Sequence, residues 1–260
     1  MNDAGMFDQG LTALREWQTT PWGRLRYATA AANLANHLTD TGLSVLDIGG
    51  GNGLDAIELA ALGHHVTLVD PSEASLAEAH ALAAERGVAI DSRCLGLDDL
   101  GTQLDASSFD VVLCHNVLQY VPDLKRAIAA LRGPLRAGGL LSVIAPNADA
   151  DPLIAAVRSH DFDGAVTQLA APTRFTAMYE TATRACYPDR ITTDLAEVGL
   201  PVVRRYGIRS VCDLLVDDEA KFDPDFYDRL ERLELALADR APYLYTARFF
   251  HLIAVADSIR

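Results

Sequence analysis

From residue 43 onward, short apolar runs alternate with segments of helical periodicity. Residues 44–48 (SVLDI) read as a buried strand, a glycine-rich turn follows, and 54–62 carry a helix pattern stopped by Gly63. A strand at 65–69, a helix at about 71–86 ended by Gly87, a strand at 88–94, a strand at 109–114 and a helix at about 123–131 continue the rhythm. Residues 140–145 (LLSVIA) close it behind Gly138 and Gly139. Strands alternating with helices imply a mainly parallel sheet with right-handed crossovers and helices on both faces.

Upstream, 10–17 reads as a short helix, and Thr19-Thr20-Pro21 opens an alanine-rich helix at 27–38, since proline is tolerated in a first turn. Beyond Pro146 the periodicity weakens. Residues 149–188 show no clear strand, whereas 192–198 and 226–238 read as helices, and 201–211 and 248–256 as strands that would form an antiparallel C-terminal edge. The expected organisation is one α/β domain over 1–260, with an N-terminal helical cap at 1–40 and a lid-like insertion at 148–190.

Composition narrows the function. Half of the 260 residues are hydrophobic, and no apolar run approaches the roughly 18–20 residues that span a bilayer. The N-terminus lacks the basic start and apolar core of a signal peptide, so a cytoplasmic protein without a membrane partner is expected. The net charge of −14 argues against a broad surface for DNA or other nucleic acid, and only two lysines are present, Lys125 and Lys221. Arginines do gather locally, at Arg24/Arg26 and Arg204/Arg205/Arg209, so a local basic pocket stays open. Cys94, Cys114, Cys186 and Cys212 are widely spaced, with no CxxC or Cys/His cluster, and read as buried reduced thiols rather than metal ligands.

The stretch VLDIGGGNG places four glycines at 49, 50, 51 and 53, directly after the first strand. Such a turn brings a ligand against bare backbone, and Asp70, at the end of the second strand, stands where a carboxylate would take ribose hydroxyls. A dinucleotide fingerprint, GxGxxG counted from Gly49, wants its last glycine at position 54, which is leucine. The GxGxG form, with Asp47 two residues ahead of it, instead resembles motif I of class I S-adenosylmethionine (SAM)-dependent methyltransferases. That resemblance implies a Rossmann-like fold and SAM as cofactor, with Gly49, Gly50 and Gly51 admitting its methionine and ribose portions. "LVDPSEASLAEA" resembles motif II, with Asp70 on the ribose. "LGLDDL" would place Asp98 near the adenine amino group and Leu97 beside the ring. "FDVVLCHNVLQYVPD" would turn His115 and Asn116 to the methionine end.

Seven segments ("TTPWGRLRYA", "DIGGGNGLDAIELAALGHHV", "HNVLQYVPD", "DFDGA", "CYPDRITTDLAEVGL", "GIRSVCDLL" and "APYLYTARFFHLIA") resemble the bacterial tRNA 5-carboxymethoxyuridine methyltransferases, from about residue 19 to 256. In that family an arginine of the N-terminal helix reaches the SAM carboxylate, and Arg26 holds the matching place. A lysine-rich run that one member of that family carries before its YP motif has no counterpart here, since 170–185 contains two arginines and no lysine.

The resemblance implies tRNA processing, with methyl transfer to a carboxylate or related oxygen. A carboxylate acceptor is already ionised at pH 7 and needs a clamp rather than a base. Clamp candidates are Arg205, Arg209, Tyr243, Tyr245 and Arg248. Arg204 and Arg205 are adjacent on a strand, so only one can face a pocket. His115, Arg205 and Tyr245 are the catalytic candidates, with His115 either contacting SAM or serving as a base. Tyr179, Tyr187, Tyr243 and Tyr245 could cover the site, and His251 reads as a structural histidine in an apolar strand. Three functional readings remain open. The acceptor is a tRNA wobble uridine derivative, or it is a small carboxylate-bearing metabolite, or the chain binds SAM without catalysis. The sequence does not specify an oligomeric state.

Overall fold

The computed structural model describes residues 4–176 and 178–257. Its helices are α1 (Ala4–Thr19), α2 (Pro21–Ala35), α3 (Leu54–Ala61), α4 (Glu73–Glu85), α5 (Leu100–Gln103), α6 (Leu124–Arg132), α7 (Asp151–Ser159), α8 (Phe162–Gln168), α9 (Pro188–Glu197), α10 (Pro224–Leu237) and α11 (Tyr243–Thr246). The strands are β1 (Ser44–Ile48), β2 (His65–Asp70), β3 (Asp91–Cys94), β4 (Phe109–His115), β5 (Leu135–Pro146), β6 (Thr173–Thr176), β7 (Thr181–Arg184), β8 (Val202–Ile208) and β9 (Phe249–Val255).

Seven strands form one sheet in the order β3-β2-β1-β4-β5-β9-β8. The first five run parallel, β9 pairs antiparallel to β5, and β8 antiparallel to β9. The expected parallel sheet with an antiparallel C-terminal edge is therefore present. Successive side chains of a strand face opposite sides, and here both sides are covered. Leu46, Val112, Leu141 and Leu252 pack on one face, while Val45, Val111, Leu113 and Ile253 pack on the other.

Several boundaries differ from the periodicity, each for a local reason. α2 starts at Pro21 rather than residue 27, because the Thr20 hydroxyl accepts the Gly23 N–H and caps the helix six residues earlier. β5 extends back through the glycine pair to Leu135, with a register shift between Phe109 and Val111. The segment expected to lack strands forms two helices, α7 and α8, and then the antiparallel hairpin β6–β7. Cys94 is exposed, contrary to expectation, whereas Cys114, Cys186 and Cys212 are buried. His64 is buried, and its Nδ1 accepts the Leu43 N–H. In the acidic loop at 216–219, Asp218 takes both Arg158 and the buried Lys221.

A buried carboxylate fixes the turn after β8. Glu234 of α10 accepts the backbone N–H groups of Ser210 (2.6 Å), Val211 (3.0 Å) and Cys212 (2.7 Å). Three charge-assisted hydrogen bonds of this kind offset part of the cost of burying the charge. They also hold the adjacent Arg209, whose backbone sits at φ 64°.

Candidate active site

In open α/β sheets, ligands bind beyond the carboxyl ends of the strands, where the strand order reverses. Here that point lies between β1 and β4, and a cavity of about 920 Å³ opens there. The glycine loop forms its floor. Gly51 N–H donates to Asp70 Oδ2 (2.9 Å) and Ser72 N–H to Asp70 Oδ1 (2.9 Å), which ties the loop to the end of β2. Gly50 passes directly over Asp47: a Cβ there would meet Asp47 Oδ2 at 2.3 Å and Leu68 Cδ1 at 2.4 Å. Both obstacles are buried, so neither can yield. Gly50→Ala is therefore expected to cost about 1–3 kcal/mol, as overpacking does, and to abolish the thermal shift that S-adenosylhomocysteine gives the wild type. Differential scanning fluorimetry reads both effects.

Arg26, Gly49, Gly50, Gly51, Asp70, Leu97, Asp98 and His115 all line this cavity. Asp47 does not. It lies beneath the loop with both carboxylate oxygens buried and unpartnered among the described residues, and burial raises its pKa well above the ordinary value. Asp98 sits at an exposed part of the wall, 3.2 Å from Arg126. Asp70 is buried, and desolvation raises its pKa against the two backbone donors.

The side chain that organises this end of the cavity is one that sequence reasoning passed over. Asp55, in the first turn of α3, accepts from Arg26 Nη1 through both oxygens (3.0 and 2.7 Å) and from His115 Nδ1 (2.8 Å). Burial would raise its pKa, but Arg26 and His115 outweigh that and hold the carboxyl below the usual range. Arg26 is buried, being 2% exposed. His115 uses both ring nitrogens, with Nε2 2.7 Å from Ser142 Oγ, and burial lowers its pKa despite the neighbouring carboxylate. Both of its ring nitrogens are therefore engaged within the protein.

The alternation expected to turn Arg204 or Arg205 into a pocket turns neither into this cavity. Arg205 pairs with Asp189 (2.9 Å) and lies over the Tyr245 ring, while Arg204 pairs with Asp239. Tyr243 and Tyr245 are about half exposed and lie outside the lining. Arg209 and Arg248 do reach the cavity, and Arg174 of β6 joins them. Asp213 accepts from Arg209 Nε (2.7 Å), and Asp151 from Arg174 (2.5 Å) and Arg248 (3.0 Å). Three guanidinium groups thus face two carboxylates, leaving one positive charge in excess. Burial, with Arg174 close by, lowers the Arg248 pKa to about 10.

The roof comes from the N-terminus and the hairpin. Phe7, Tyr120 and Tyr179 meet edge to face, with ring centroids 5.3–5.6 Å apart. Gln18 of α1 exchanges two hydrogen bonds with Asn52 of the glycine loop (both 2.8 Å).

These residues fit SAM. Each Asp70 oxygen keeps a lone pair for a ribose hydroxyl beyond its backbone bond. Asn116 Oδ1 and Gln119 Oε1 are buried acceptors without partners among the described residues, on residues that line the cavity and suit an ammonium group. A model of the methyltransferase domain matches residues 46–143. The tRNA 5-carboxymethoxyuridine methyltransferase of Escherichia coli K12 is 29% identical over 265 residues, covering 98% of this chain and 97% of that protein. A ubiquinone biosynthesis O-methyltransferase of Chromobacterium violaceum is 34% identical over 121 residues, 46% of this chain and 52% of that protein. A SAM-dependent methyltransferase structure from Thermotoga maritima shares the fold, with TM-score 0.64 at 15% identity over 97% of this chain and 99% of that one. With the matched domain laid over the glycine loop and the likeness running almost end to end, the chain carries a methyltransferase domain and is similar over nearly its whole length to the tRNA 5-carboxymethoxyuridine methyltransferases.

Proposed function

We propose that this enzyme methylates a carboxylate oxygen on an anionic acceptor held by Arg174, Arg209 and Arg248. The observation that carries the reading is the excess positive charge of that cluster on the wall of the cofactor cavity. A planar guanidinium can grip one carboxylate oxygen and leave the other exposed for attack. When bound, SAM supplies an electrophilic methyl group on a positively charged sulfur. An ionised carboxylate carries no proton to remove, so the chain would need to supply no base. The chain's contribution is positioning and exclusion of water. Asp70 would hold the ribose, Asn116 and Gln119 the ammonium group, and Arg26 the carboxylate of the methionine tail, with Leu97 and Asp98 at the adenine. The cap at 1–40 and the insertion at 148–190 would close over both ligands.

The near-full-length likeness favours 5-carboxymethoxyuridine of tRNA as the carrier of that carboxylate, with the reaction in the cytoplasm. The charge of −14 and the two lysines favour a small carboxylate metabolite instead. Transfer of labelled methyl to tRNA that carries the carboxymethoxy group, compared with tRNA lacking it and with a metabolite fraction, separates the two. Label in neither fraction would remove the carboxylate reading. Arg248→Met is expected to raise the acceptor KM about 30-fold, roughly 2 kcal/mol, while leaving S-adenosylhomocysteine affinity within about twofold. Steady-state kinetics together with calorimetry check it.

A further inference from the structure

Behind the cavity wall, a chain of buried side chains leads away from the methionine end. Asp55 Oδ2 is 2.8 Å from His115 Nδ1, and His115 Nε2 is 2.7 Å from Ser142 Oγ. Ser142 Oγ is 2.8 Å from His251 Nε2, and His251 Nδ1 is 3.4 Å from Asn33 Nδ2. These residues come from α3, β4, β5, β9 and α2, and Ser142 and His251 are wholly buried. Ser142, His251 and Asn33 do not line the cavity.

An ionised carboxylate only accepts hydrogen bonds, and a neutral imidazole donates from one nitrogen and accepts at the other. One proton arrangement then satisfies every link. Asn33 donates to His251 Nδ1, His251 Nε2–H donates to Ser142, the Ser142 hydroxyl donates to His115 Nε2, and His115 Nδ1–H donates to Asp55. Every donor points toward the cavity, and reversing any link leaves a buried donor or acceptor unmatched. The charged and titratable groups around the two rings are Asp55 and Arg26 on the cavity side and, beside His251, the pair His37–Tyr206.

We propose that Ser142 and His251 are positioning residues, which lock His115 as an Nδ1–H donor and thereby hold the Asp55–Arg26 pair against the cofactor cavity. In this arrangement Asp55 receives one neutral and one charged donor. Without the Ser142 hydroxyl, His115 Nε2 opens to a proton, and an imidazolium then competes with Arg26 for the same carboxylate. This role is independent of the acceptor's identity, because it concerns the cofactor end alone.

Nitrogen-15 NMR of ring-labelled protein without cofactor tests it directly. His115 should be protonated at Nδ1 and His251 at Nε2, both neutral and unchanged from about pH 5.5 to 8.5, the range in which an ordinary histidine titrates. In Ser142→Ala, His115 should titrate within that range. S-adenosylhomocysteine affinity should fall about tenfold at low pH and recover as pH rises, a shift of about 1.4 kcal/mol. Ser142→Thr, which keeps the hydroxyl, should restore wild-type spectra. Opposite tautomers or an ordinary titration in the wild type would overturn the proposal. So would a folded Ser142→Ala with an unchanged His115 spectrum and affinity. Should Ser142→Ala fail to fold, the wild-type spectra alone decide.

Discussion

Asp55→Ala is expected to destabilise the protein by about 3–5 kcal/mol, because it leaves a buried cation without its counter-charge. Arg26 is 2% exposed and its Nη1 bonds only to Asp55 among the described residues, so no neighbour replaces the lost carboxylate. The His115 Nδ1–H loses its acceptor in the same step. At about 2–4 °C per kcal/mol for a chain of this size, the melting temperature should drop by roughly 6–20 °C. Glu58→Ala is the control: its partner Arg86 is 60% exposed, and surface pairs contribute about 0–1 kcal/mol. The pH dependence has a fixed sign. The folded-state pKa of Asp55 lies below its unfolded value of about 3.9. Its stabilisation is therefore complete at neutral pH and is lost as pH falls below about 4 toward the folded value. A wild-type-minus-variant difference in stability that persists unchanged to pH 2 would contradict this assignment.

Asp70→Ala should lower S-adenosylhomocysteine affinity at least 100-fold. Hydrogen bonds to a charged group contribute about 1.5–3 kcal/mol each, and two ribose hydroxyls would be lost together. The loop also loses its tie, since Gly51 and Ser72 both donate to this carboxylate. Asp70→Asn retains one acceptor oxygen and should fall between the wild type and alanine. Isothermal titration calorimetry measures all three proteins, and a loss below about fivefold for alanine would remove Asp70 from the cofactor site.

Much of this was legible before any coordinates. The parallel strands announced themselves because buried strands must be apolar on both faces, as in VLDI and FDVVLC. The glycine loop and Asp70 were legible for a different reason, since close backbone approach and a strand-end acid leave few residue choices. The hairpin β6–β7 was hidden because neither TRFT nor TATR shows an apolar face, and Phe175 points to solvent. Its β-branched threonines were the one local hint. Asp55 was illegible for a subtler reason: an acid in a first helical turn already complements the helix dipole, so nothing about its position demanded a partner 29 residues upstream and another 60 downstream. Arg205 shows the converse failure. Strand alternation correctly separates its side chain from that of Arg204, but it cannot say whether the selected face meets a cavity or, as here, Asp189 and Tyr245.

The arginine cluster is a small positive island on a molecule of net charge −14. Charges separated by more than about 8 Å are largely screened at physiological ionic strength, so an approaching anion feels the whole negative protein only in dilute buffer. The familiar acceleration of encounter by low ionic strength should therefore run backwards. For the anionic acceptor proposed above, added salt should first speed arrival by hiding the distant carboxylates, and only later weaken its grip on the three guanidinium groups.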